Sequence, residues 1–101
     1  MTMTLEAFRA SLGDDAPPAG GSDELTAMWH VGRDAWDAAH NIVQQYEGTP
    51  DADWVHAYLH RVEGDLANAG YWYRRAGKPE AAGTLDDEWT AIVTDFLGRA
   101  S

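Results

Sequence analysis

The chain has 101 residues, of which 45% are hydrophobic and five are Trp, enough for one domain with a compact core. A formal net charge of −10 with only seven Lys and Arg leaves no basic patch, so nucleic acid and anionic membrane surfaces are not expected partners. The chain has no Cys, which removes disulfides and thiolate sites and fits a cytoplasmic location; no apolar run approaches the roughly 20 residues of a membrane span, and Met1 to Leu12 lacks a signal-peptide pattern.

Leu5, Phe8 and Leu12 mark a short amphipathic helix opened by Thr4. Gly13 to Gly21 holds turn formers without periodicity and reads as a flexible linker, making 1–21 a helix and linker ahead of a single helical domain over 22–101. Ser22 caps the next helix, with Asp23 and Glu24 in its first turn and Leu25, Met28 and Trp29 on one face. After a break at Gly32 and Asp34, a helix over about 34–47 gathers Ala35, Ala38, Ala39, Ile42, Val43 and Tyr46 on one arc and ends at Gly48.

Thr49-Pro50-Asp51 restarts a helix over about 50–63, with Trp54, Val55, Tyr58, Leu59 and Val62 on one side. Gly64-Asp65 closes it and caps a helix over about 66–76 that buries Leu66, Ala69, Trp72, Tyr73 and Ala76 before Gly77 and Pro79. Thr84 to Glu88 resembles a capping box that starts a final helix over 84–98, with Leu85, Trp89, Ile92, Val93 and Phe96 inward. No period-two strand is present, so the expected fold is an all-α antiparallel helix-turn-helix array of five to six helices, with helix pairs at 22–48 and 50–77 and a C-terminal capping helix.

Asp34 aligns with Asp65, Ala38 with Ala69 and Ile42 with Tyr73, each 31 residues apart. Gly64, Asp65, Ala69, Tyr73 and Ala76 resemble the glycine, turn aspartate, small crossing residue, aromatic and closing alanine of a tetratricopeptide (TPR) repeat. Trp72-Tyr73-Arg74-Arg75-Ala76 is similar to the Sel1-like subtype, and the resemblance is clearest over residues 50–79. The run Trp54 to Arg61 followed by Glu63-Gly64-Asp65 also resembles a group of short bacterial proteins of unassigned function, and implies no activity.

The TPR resemblance implies a small interaction module that holds a peptide, a protein partner or a small ligand on a concave face. Carried over by register, Asp51, Trp54, Tyr58 and Arg61, with His30 from the first repeat, would line that face. Helical spacing alone also permits Trp54 and Tyr58 to be core.

His56 and His60 lie at i and i+4 and can present two imidazoles to one metal ion, with His40, Glu63, Asp53 or Asp37 as the third ligand. The competing reading is a histidine pair hydrogen-bonded in a helix seam, with no cofactor. A metal-free enzyme could instead use His56 or His60 as general base, oriented by Asp53 or Glu63. Ser occurs only at 11, 22 and 101, all outside the expected core, and no phosphate loop or nucleophile elbow is present, which disfavours covalent serine catalysis. The acidic balance suits a third class, a chaperone or inhibitor capping a basic partner. Tyr71 and Trp36, at the flanks of their helical arcs, would be the exposed anchors for a partner or a homodimer.

Overall fold

The local signals place the helices near where the sequence predicts, except that the one expected over 34–47 is shorter at both ends, Asp34 being in the turn and 45–48 in turns. In the computed structural model, which describes residues 3–99, they are α1 (Leu5–Ser11), α2 (Asp23–Gly32), α3 (Trp36–Gln44), α4 (Pro50–Val62), α5 (Leu66–Ala76) and α6 (Leu85–Arg99). The protein is all-α among the described residues. Ala7 N donates to Thr4 Oγ1 at 3.1 Å and Leu25 N to Ser22 Oγ at 3.1 Å. Thr84 and Asp87 bond reciprocally, at 3.0 and 3.4 Å, as the capping box requires. Thr49 holds the N-cap position of α4 without a side-chain bond; instead Asp53 reaches back to accept from Gly48 N at 3.1 Å.

Two antiparallel hairpins, α2/α3 and α4/α5, stack so that α4 lies against α2 and α3 on one side and α5 on the other. Both hairpins close alike: the N–H of Ala35 bonds His30 O and that of Asp65 bonds His60 O, each at 2.9 Å, five residues back. Asp34 and Gly64 are the preceding residues, with φ of 61° and 85°. The structural repeat is therefore 30 residues, pairing Ala39 with Ala69 and Val43 with Tyr73, all buried. This corrects the register of 31 inferred from Asp34 and Asp65. Asp34 takes the left-handed position that Gly64 fills, and Ala35, without a capping side chain, stands where Asp65 caps α5.

The core has two parts on opposite faces of α4. The larger joins Phe8, Met28, Trp29, Val43, Val55, Leu59, Trp89, Ile92 and Val93; the smaller joins Ala57, Ala69, Trp72 and Tyr73. Buried indole N–H groups need partners, and here they staple helices: Trp89 to Met28 O at 3.0 Å, Trp29 to Ser11 O at 3.1 Å and Trp36 to Leu59 O at 2.7 Å. Ser11 is thus buried, not outside the core as its position near the linker suggested, and its Oγ donates to Phe8 O. Ser101 lies outside the described residues. Leu66, Tyr46 and Leu85, expected inward, are exposed, because each sits at or beyond a helix end where the neighbouring helix no longer covers it. Arg33 ties the linker down, donating to Leu12 O and Asp14 O at 2.6 Å.

The C-terminal helix α6 occupies the face of α4 that the TPR resemblance assigns to ligands. Trp54 packs edge-on against Phe96, with ring centroids 5.7 Å apart, and Arg99 makes two bonds of 2.9 Å to Asp51. Arg61 holds Glu88 Oε1 at 3.0 Å and also donates to the carbonyls of Gly83 and Thr84. Tyr58 is buried. Desolvation, together with the charge of Glu88, pushes its phenol up to about 12. His30 lies half-buried at the end of α2, edge-on to Trp29. No helix among the described residues is long and apolar enough to cross a membrane.

Candidate functional site: a trihistidine cluster

On α4, His56 and His60 fall one turn apart, on the flank between the two core faces. The packing of the hairpins turns that flank into a seam, so both are buried, at 3% and 7% exposure. His40 of α3 is the third member. His40 Nε2 faces His56 Nε2 at 3.1 Å, and one ring nitrogen from each of His40, His56 and His60 lies within 4.8 Å of the others. Of the third ligands considered from sequence, the structure brings in His40. Glu63 joins one step out, and Asp53 is engaged elsewhere, with Gly48 N and with Arg75 Nε at 3.7 Å.

The rings are locked in place. Trp36 stacks on His40 with centroids 4.8 Å apart and planes 10° apart, and Trp72 stacks on His56 at 3.8 Å and 13°. His60 Nδ1 donates to Glu63 Oε1 at 2.7 Å, since a carboxylate can only accept. In the neutral ring that bond leaves the lone pair on Nε2. The amide nitrogen of Asn68, in the first turn of α5, lies 3.5 and 3.4 Å from the two nitrogens of the same ring.

Sequence reasoning missed Trp36 and Asn68. It placed Trp36 at an exposed flank, but the indole is half-buried between His40 and the carbonyl of Leu59. The i, i+4 spacing of Trp36 and His40 is the signal that could have found it. For Asn68 no such signal exists, because its meeting with His60 depends on how α5 packs on α4. Tyr71 is exposed, as expected of a flank residue, and accepts from Arg75 Nη1 at 2.9 Å.

The electrostatics disfavour the charged forms of His40 and His56. Desolvation lowers His56 to about 4, and the charges of His40, His60 and Arg75 push the same way. Burial, followed by the charge of His60, lowers His40 too, against the opposing pull of Glu63, Asp37 and Glu47. Both shifts favour the neutral imidazole, the form that offers a lone pair. His56 Nδ1, on the opposite side of the ring from the Nε2 that faces His40, is the one buried side-chain polar atom without a hydrogen-bond partner among the described residues.

Three imidazoles with one carboxylate behind them form a donor set suited to zinc-class ions. No protein-family model matches the chain, and no curated protein or solved structure matches it.

Proposed function

We propose that the protein is a metal-binding helical module that takes one divalent ion of the zinc class at His40, His56 and His60. The convergence of three ring nitrogens from two helices within 4.8 Å of one another carries this reading. Metal-ligating histidines commonly hand their second N–H to a carboxylate, which fixes the tautomer and raises ligand basicity. Glu63 does this for His60. With metal–nitrogen bonds of about 2.0 to 2.1 Å, tetrahedral coordination sets ligand nitrogens about 3.3 Å apart. The 3.1 Å between His40 and His56 is close to that edge. The concave-face reading receives less support, because α6 fills the face it needs.

The test is titration of chelator-stripped protein with zinc by calorimetry, together with elemental analysis. One ion per chain is expected, and the His56→Ala/His60→Ala double variant should lose it. His40 is half-buried and at the rim, so His40→Ala should keep the helical circular dichroism of the wild type while weakening zinc by at least about 100-fold. Equal zinc affinity in wild type and folded His40→Ala would overturn the proposal.

A further inference from the structure

Resting on that metal reading, we infer that the ion keeps one coordination position open to an exchangeable small ligand, water at rest and a monodentate anion in competition. Structural zinc sites are closed by four protein donors, whereas sites that exchange ligands supply three. Among the described residues no fourth His or carboxylate joins the trio itself, and a second group of His60, Glu63 and Asp65 shares only His60 with it.

Each carboxylate close in sequence or space has another task. Glu63 is committed to His60 Nδ1. Asp53 is held by Gly48 N and Arg75, and Asp65 caps α5 by accepting from Asn68 N at 3.3 Å. Asp37 is exposed and acts on His40 through its charge alone.

The fold does not need the ion as a clamp. Helices α3 and α4 are already joined by the Trp36 indole bond to Leu59 O, and α4 and α5 by the smaller apolar cluster. Small domains that depend on a structural metal lack such a core.

Exposure gives the direction of the open position. His56 and His60 are buried, while His40 and Asn68 are both half-buried, so the solvent side of the cluster lies between α3 and the start of α5. The open fourth vertex is assigned to that side, where an exchangeable ligand can reach it. Asn68 stands beside it. At 3.4 and 3.5 Å its amide is long for hydrogen bonds to His60, so its N–H groups are available to an incoming ligand atom that accepts. The indoles of Trp36 and Trp72 wall the cluster, which restricts the position to a small ligand.

Cobalt(II) reports both the ion and its fourth ligand through its visible absorption. Protein loaded with one equivalent of cobalt should show tetrahedral bands that shift saturably on adding azide, with one azide per cobalt. Asn68→Ala should weaken azide about tenfold while leaving cobalt affinity within about twofold. Cobalt bands that azide does not move would mean a site closed by four donors and would overturn the inference while sparing the metal reading. Failure to take up stoichiometric cobalt would overturn both. Azide binding unchanged in Asn68→Ala would remove Asn68 from the site.

Discussion

The first hairpin, α2/α3, and the second, α4/α5, share a 30-residue frame and the same closing backbone bond, yet the second carries most of the candidate site and the first supplies only His40. His30 and His60 hold equivalent places one repeat apart in that frame, each lending its carbonyl to the closing bond. His30 meets Trp29 at the half-exposed end of α2. His60 meets two other imidazoles, Glu63 and Asn68. The difference comes from position in the array. Helix α4 is flanked by α3 and α5, so a residue on its side faces a second helix, whereas α2 comes first in the stack. Equivalent local sequence therefore acquires different chemistry according to how many neighbours a helix has.

The largest expected contrast lies at the ends of the two inner helices. Arg61 of α4 neutralises Glu88, which is 6% exposed and also accepts from the Tyr73 hydroxyl. Arg61→Ala should cost about 3 to 5 kcal/mol, because it leaves a buried carboxylate without its cation. At the equivalent place in α2, Val31→Ala should cost only about 1 kcal/mol, for lost apolar contact. Urea denaturation of the two variants checks this, and equal losses would mean that the second hairpin gains nothing from the ion pair.

The pH dependence of the metal-free protein probes the cluster itself. With His56 lowered to about 4 in the folded chain against 6.5 unfolded, the unfolded chain takes up the proton first as the solution is acidified. Stability is then fully present above pH 6.5 and lost between 6.5 and about 4, by on the order of 3 kcal/mol. His40, His60 and Arg75, the groups acting on His56, all oppose its protonation. Denaturation midpoints in chelator at pH 7, 5.5 and 4.5 measure the loss, and His56→Leu should flatten this part of it. An unchanged slope would remove His56 as its source.

The smallest effect concerns the two turns. Gly64 sits at φ 85° with no atom near its missing Cβ, so Gly64→Ala suffers backbone strain alone, about 1 to 2 kcal/mol. Asp34, at φ 61°, already bears part of that strain, and Asp34→Gly should gain about 0.5 kcal/mol. Thermal melts of both variants compare them directly. Opposite signs would confirm that the two residues do one job at different cost.

Much of this architecture was legible from the residues. Gly64-Asp65 announced a turn and cap, Pro50 a helix start, and Gly77 a helix end with φ 71°. The i, i+4 spacing of His56 and His60 announced a pair. Where the reading slipped, it did so at places governed by neighbours. Asp34 looked like the counterpart of Asp65 because both are turn aspartates, but its backbone does the work of Gly64. Glu88 stood out only as the end of the capping-box run from Thr84, yet Arg61 and Tyr73 meet it inside.

The sequence by itself determined that the chain is helical, where most helices begin and end, and which residues pair one turn apart. Caps, turns and periodicity act over three to five residues, so the chain carries them wherever it goes. Only the tertiary structure decided that His40 of α3 joins His56 and His60, that Asn68 stands beside them, and that α6 covers Asp51, Trp54 and Arg61. Those meetings bring together residues far apart in the chain, and helical periodicity assigns a residue to a face without specifying which helix will cover it.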